Sequence, residues 1–346
     1  MKLHILPYQL QFKYPFSIAQ GVRTYTDCVF IAIEKDGILG YGEATLPPYL
    51  TDTIKSTTAF LQDIDIVDSH HRFNSNLDLF ENDEGTNMPA KASIDMAFWD
   101  LKGKLEGRKV DSYFKRSVLQ KKPNSTYTIG ISSEEELKNK LLDATDFKLI
   151  KLKLNGKNDE EQILNFRKYS DKAFAVDANQ SWTDIDQAKR MHDFLIAQNC
   201  FLIEQPFEKH DTQKTTALKN YSHIPIIADE AFQTIDSLEQ IAEAYHGINI
   251  KLMKCGGISN AYKIIEKAKQ LDLKILIGCM SESACGCAAA AILQAFADWT
   301  DLDGPWLIKN NPFDDYIIQD GQIRTLQNTG LGIIPNEIVK WSQETK

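Results

Sequence analysis

Five apolar runs in the middle of the chain each stop at a charge that does not suit a core. Phe147-Lys148-Leu149-Ile150 leads into Lys151-Leu152-Lys153, Phe174-Ala175-Val176 into Asp177, and Phe201-Leu202-Ile203 into Glu204. Ile224-Pro225-Ile226-Ile227-Ala228 leads into Asp229, and Ile248-Asn249-Ile250 into Lys251. The closing charges fall at positions 153, 177, 204, 229 and 251, so successive ends are 22 to 27 residues apart. That interval accommodates one strand, one helix and two short loops. Helical spacing fills the gaps: Ile185, Ala188, Met191, Phe194, Leu195 and Ala197 form one stripe, with Thr183 as the expected N-cap. Strand–helix units repeated at a steady interval predict a parallel sheet. In a closed barrel the carboxyl ends of all the strands would meet at one mouth.

The flanking patterns complete such a barrel. Residues 126–131 read as its first strand, 274–278 as its seventh, and Thr300-Asp301-Leu302-Asp303-Gly304 as its last position. The fold class expected is therefore α/β: a modified TIM barrel, (β/α)7β, over residues 123–315. Before it, 28–34 and 40–43 read as a hairpin turning at Lys35-Asp36-Gly37, with 19–25 a polar loop ahead of it and 46–50 a loop behind it. Residues 53–64 and 69–80 look helical. Pro89 opens a further helix with Ile94, Ala97, Phe98, Leu101 and Leu105 on one face and Gly107 just past its end. Residues 1–122 are thus expected to form an α+β capping domain, joined to the barrel near 121–125. A short, polar, strand-like tail from about 316 to 346 is expected to pack back on it.

Composition narrows the function classes. The chain has 346 residues, 43% hydrophobic and 25% charged, which suits one large barrel and a second domain. A net charge of −9 without a basic block excludes nucleic acid as a natural partner. MKLHILPYQL lacks the apolar core of a signal peptide, and the apolar stretch 284–297 is too short to span a bilayer and carries Gln294, so no membrane role is expected. Cys279, Cys285 and Cys287 invite a thiolate cluster, but the six cysteines show no paired framework and read as small buried apolar residues. A reducing, cytoplasmic setting follows. Composition leaves a homo-oligomer open.

The strand ends carry the chemistry. Asp177, Glu204 and Asp229 would place three like charges in one pocket, which demands a cation. All-oxygen ligation without His or Cys suits Mg²⁺. Lys151 and Lys153 are two apart on a strand and point the same way, about 7 Å apart by strand rise. At an effective dielectric of 20, two such ammonium groups repel by about 2.4 kcal/mol, which would bring a lysine toward the range of a working base. Lys251 ends the sixth strand, across the barrel from them. A substrate carboxylate on the metal would leave its α-carbon between Lys153 and Lys251, one removing the α-proton and the other protonating the opposite face. Lys151 is an auxiliary charge in this reading, and Lys254 a supporting one.

Taken together, these residues resemble the enolase superfamily in its muconate-lactonizing-enzyme subgroup. The resemblance rests on Lys151-x-Lys153, the Asp177/Glu204/Asp229 triad and the lone Lys251. The local runs Asp177-Ala-Asn179, Glu204-Gln-Pro206, Ala228-Asp229-Glu230 and Asn249-Ile-Lys251-Leu-x-Lys254-x-Gly256-Gly257 add to it. It implies a capping domain over a (β/α)7β barrel and Mg²⁺ on the three carboxylates. Within the subgroup, Asp301-x-Asp303 resembles the pair with which dipeptide epimerases hold the free ammonium of their substrate, and Met280, Ser281 and Glu282 would line the same side. Arg23, in Pro15-Phe16-x-Ile18-Ala19-x-Gly21-x-Arg23, matches the arginine that takes the glutamate side chain in Ala-Glu epimerases, whereas Tyr25, Pro47, Pro48, Tyr49 and Leu50 offer an apolar rim. The resemblance thus implies inversion at the second residue of an L-Ala-X dipeptide, with X either Glu or apolar. An o-succinylbenzoate synthase or N-acylamino-acid racemase, and a catalytically silent metal-binding barrel, are the competing expectations.

Overall fold

The computed structural model describes residues 1–18, 21–75, 87–114 and 122–337. Strands β1 (Lys2–Ile18), β2 (Gly21–Lys35) and β3 (Ile38–Leu46) form an antiparallel sheet in that order. The two residues Asp36 and Gly37 make the predicted turn between β2 and β3, where a two-residue connection matches the twist of paired strands. The β2 run 28–33 is apolar at every position because both faces of the sheet are covered. Val29, Ile31 and Ile33 pack against the helices of the cap, and Cys28, Phe30 and Ala32 join the core shared with the barrel. The expected polar loop at 19–25 is instead strand from Gly21 onward, since the long β1 offers its backbone as a partner.

Helices α1 (Ile54–Asp63), α2 (Ile66–Asn74) and α3 (Met88–Leu105) follow. Positions 76–80 of the expected second helix lie outside the described residues. Pro89 sits in the first turn of α3, where its missing N–H costs nothing. This helix is buried almost all round, polar residues included, because it is pressed between the sheet and the barrel.

The barrel strands are β4 (Thr126–Ile129), β5 (Leu149–Lys153), β6 (Ala173–Asp177), β7 (Cys200–Glu204), β8 (Ile226–Ala228), β9 (Gly247–Lys251), β10 (Lys274–Gly278) and β11 (Trp299–Asp301). They pair parallel in sequence order, and a bridge between Ser125 and Thr300 brings the last strand to the first. Seven intervening segments carry α4 (Glu134–Asp143), α5 (Asp159–Arg167), α6 (Ile185–Ala197), α7 (Thr212–Tyr221), α8 (Leu238–Ala244), the short α9 (Leu252–Cys255) with α10 (Ile258–Gln270), and α11 (Ala284–Ala291). The short α12 (Gly304–Leu307) follows the eighth strand, so the architecture is the expected (β/α)7β barrel with an antiparallel cap. The N-cap of α6 is Asp184 rather than Thr183, because the Asp184 carboxylate reaches the Gln187 N–H at 2.8 Å.

The tail pairs β12 (Phe313–Asp314) with β15 (Ile334–Pro335), and β13 (Tyr316–Gln319) with β14 (Gln322–Thr325). It touches both halves of the molecule. Gly330 exchanges backbone hydrogen bonds with Arg108 and Val110 of the cap, and the Ser125 N–H donates to the Gly321 carbonyl at the foot of the barrel. No described helix is long and apolar enough to cross a membrane.

Candidate active site

Strand register builds the mouth of the barrel. Lys153 pairs with Asp177 and Asp177 with Glu204, so three strand ends stand side by side. Asp229 follows β8 by one residue, and its N–H donates to the Gln205 side-chain oxygen at 2.9 Å, as does the Ala231 N–H at 3.0 Å. Gln205 thereby shapes the turn that presents Asp229. Lys251 ends β9, four strands round the eight-stranded ring from β5. Asn249, two residues earlier, donates to Glu204 at 2.9 Å.

One oxygen from each of Asp177, Glu204 and Asp229 lies within 4.8 Å of the others, and all three residues are buried. Buried like charges must be compensated, and lysines do this here. Lys153 reaches Asp177 at 2.6 Å, and Lys151 reaches Glu204 at 2.8 Å and Asp177 at 3.2 Å. Lys251 and Lys254 hold the two oxygens of Asp229 at 2.7 and 2.8 Å, and Lys254 also donates to the Asp229 carbonyl at 2.7 Å. Burial works against the charged form of Asp229, but Lys251 and Lys254 outweigh it and hold the carboxyl well below its usual range. Lys153 and Lys151 do the same, more weakly, for Asp177. Glu204 goes the other way: burial, with Asp177 beside it, pushes it up to about 8. Burial is the first cause of that rise, and the oxygen-only donors of the triad fit a hard divalent cation such as Mg²⁺.

The expected repulsion between Lys151 and Lys153 does not govern Lys151. Burial opposes its charge, but Asp301, Glu204 and Asp177 surround it and hold it well above the usual lysine range. The nearest charges to each ammonium are carboxylates, not the other lysine.

A cavity of about 470 Å³ opens above the triad. Lys151, Lys153, Asp229, Lys251, Met280, Ser281, Asp301, Asp303 and Arg23 all face it, bringing together most of the residues singled out from the sequence. Asp301 accepts from Lys151 at 2.9 Å and from Thr126, and Asp303 accepts from the Thr128 N–H. Two expected residues lie elsewhere. Glu282 is buried behind the wall, its carboxylate folded back to accept the Met280 N–H at 2.7 Å. Tyr25 is 45% exposed. It is not among the residues that line the cavity, and the ladder with β1 is irregular between it and Arg23, where β1 advances from Gln11 to Phe16. The sequence reading passed over Thr128 and Glu230, which also line the cavity. Nothing in a Thr within a strand marks it. Glu230 stood in a run quoted for another reason.

Comparison with known proteins gives the family. Residues 134–339 match the enolase C-terminal domain-like family, and residues 1–112 match the N-terminal domain of the mandelate racemase/muconate lactonizing enzymes. An L-Ala-D/L-Glu epimerase of Bacteroides thetaiotaomicron is 34% identical, over 96% of this chain and 88% of its own. A hydrophobic dipeptide epimerase of a Flavobacteria bacterium is 31% identical, over 90% of this chain and 92% of its own. The structure of a dipeptide epimerase of Methylococcus capsulatus, complexed with Mg and L-Arg-D-Lys, superimposes with a TM-score of 0.84 at 27% identity, over 96% of this chain and all of that one. The chain belongs to the mandelate racemase/muconate lactonizing enzyme family, within the enolase superfamily.

Calorimetric titration with Mg²⁺ should reveal one site. Glu204→Gln should weaken it by about a hundredfold or more, since even an outer partner of a metal ligand is worth 10–100-fold. Unchanged affinity would remove the triad from consideration as the metal site.

Proposed function

We propose that the chain is a Mg²⁺-dependent dipeptide epimerase, an isomerase that inverts the α-carbon of the second residue of an L-Ala-X dipeptide. The observation that carries this reading is the pair Lys153 and Lys251, set four strands apart around one buried carboxylate cluster. Asp177, Glu204 and Asp229 would hold the metal. Bound there, Mg²⁺ supplies positive charge against the substrate carboxylate, which gains negative charge as the α-proton leaves. One of the two lysines, as the free amine, takes that proton, and the other, as the ammonium, returns one to the opposite face. Lys151 stays charged beside Glu204 and Asp301. Asp301 and Asp303 receive the substrate ammonium, a role for which a synthase or racemase acting on substrates without a free amine has no use. A silent binder has no use for opposed lysines. In this reading the cap, residues 1–122 with the tail from 316, closes over a barrel of 123–315 and supplies the pocket for X. The six cysteines are all unpaired and buried, which suits the cytoplasmic setting we infer.

We take X to be acidic. Arg23 faces the cavity with its guanidinium largely buried, its Nε without an acceptor and no carboxylate partner among the described residues. A buried unpaired cation is costly. The rings of Phe12, Phe16 and Tyr49, 5.5 to 5.9 Å away, relieve part of that cost and also support the second reading, an apolar X. Epimerisation of L-Ala-L-Glu and L-Ala-L-Leu, followed side by side, separates the two. Arg23→Leu should lower kcat/KM for L-Ala-L-Glu by about ten- to a hundredfold, the worth of hydrogen bonds to a charged group, and spare or improve L-Ala-L-Leu. The reverse preference in the wild type would favour the apolar reading.

The acidic pair sets a pH dependence. Burial, with Asp301 nearby, pushes Asp303 up to about 7. An ammonium at the pair favours the ionised carboxylate, so binding below that pH requires Asp303 to lose a proton. KM for the dipeptide should therefore rise as pH falls through 7, approaching about tenfold per unit. Asp303→Asn should flatten this dependence while raising KM throughout.

A further inference from the structure

Two of the buried carboxylates outside the cavity, Asp95 and Glu43, belong to the cap and reach the barrel. Asp95, on α3, is fully buried and accepts the Ser259 N–H at 3.1 Å and the Ser259 hydroxyl. Glu43, on β3, is fully buried and accepts the Ser283 N–H at 2.9 Å, the Ser283 hydroxyl at 2.6 Å and the Gly286 N–H at 2.8 Å. Each therefore satisfies the open N–H groups at the start of a barrel helix, α10 and α11 respectively. Such groups are ordinarily met from the residue just ahead of the helix. At α10 that residue is Gly257, which has no side chain to offer, and a Cβ built there would lie 2.5 Å from the Asp95 carboxylate. At α11, Ser283 caps Cys285 with its own oxygen while its hydroxyl donates to Glu43. A Cβ on Gly286 would stand 2.3 Å from Glu282 and 3.1 Å from Glu43. Both helices are cut away where the cap's carboxylates enter.

The segments leading into these two helices both line the cavity. Lys251 and Lys254 lie just ahead of α10, and Met280 and Ser281 just ahead of α11. The cap grips the same segments again: the Thr45 N–H meets the Met253 sulfur at 3.3 Å, and the Tyr49 hydroxyl meets the Met280 sulfur at 3.0 Å.

We propose that Asp95 and Glu43 are positioning residues for the reaction, Asp95 setting the segment that carries Lys251 and Glu43 setting the Met280–Ser281 wall. The inference rests on the reading that Lys251 transfers protons at one face of the substrate. It predicts that two cap residues act on different parameters. Misplacing a reacting group by about 1 Å can cost a hundredfold, so Asp95→Asn should slow α-proton exchange with solvent by ten- to a hundredfold for the one epimer whose proton faces Lys251. Exchange of the other epimer should stay within about threefold of wild type, per mole of folded enzyme. Glu43→Gln should instead raise KM by about tenfold, with exchange of both epimers at saturation largely kept. A lost structural contact alone would slow both epimers equally. The experiment follows α-proton exchange of L-Ala-L-Glu and L-Ala-D-Glu in deuterated water, with Ser259→Ala and Ser283→Ala as milder changes that should shift the same parameters in the same directions. Equal slowing of both epimers in the Asp95 and Ser259 variants, or an unchanged KM in the Glu43 and Ser283 variants, overturns the proposal while leaving the epimerase reading intact. Absence of exchange in the wild type overturns both.

Discussion

The mouth of this barrel is governed by the cost of burying charge. Three carboxylates meet within 4.8 Å, and four lysines converge on them and on Asp301. Taken singly, each of these groups would be expensive to hide from water. Together they hold one another in place, and the geometry of the site follows from that mutual pairing. Glu204 shows the balance most clearly, since burial and Asp177 push it up to about 8 although Lys151 is beside it. A divalent cation held by Asp177, Glu204 and Asp229 would supply positive charge that the lysines now supply. In the proposed reaction, Lys153 and Lys251 of this same arrangement would be the proton carriers.

Much of this was legible in the sequence, for a physical reason. A charge that closes an apolar run breaks the rule that buried positions are apolar, and five such breaks at a steady interval point to one mouth. The strand ends Lys153, Asp177, Glu204 and Lys251 stand where that pattern puts them. Direction within a loop was not legible. Nothing local distinguishes Ser281, which faces the cavity, from Glu282, which folds back on the Met280 N–H. Tyr25 and Arg23 share a parity along β2, yet only Arg23 lines the cavity, beside an irregular stretch of the ladder with β1. Strand spacing shows Lys153 beside Lys151 but not Asp301, which lies 150 residues away and sets the pull on Lys151.

The cap carboxylates were hidden for a related reason. Asp95 lies beside Ile94 in a helix whose apolar stripe explains its packing without it, and its partner Ser259 is 164 residues on. Glu43 ends a short apolar stretch of β3, and its partners are 240 and 243 residues on. Periodicity reports which face of an element is buried, not which polar group on that face meets another domain. Cap and barrel are coupled here by charge at helix starts as well as by the shared apolar core, so the cap touches the segments that hold Lys251 and Met280 at the cavity.

The central claim is that two amines work on opposite faces of one carbon. Alanine variants of Lys153 and Lys251, each incubated with L-Ala-L-Glu and with L-Ala-D-Glu in deuterated water, test it directly. The account predicts that both variants lose epimerisation, and that each retains α-proton exchange with one epimer only, the two variants keeping opposite ones. Retention of the same epimer by both variants, or continued epimerisation by either, would contradict it.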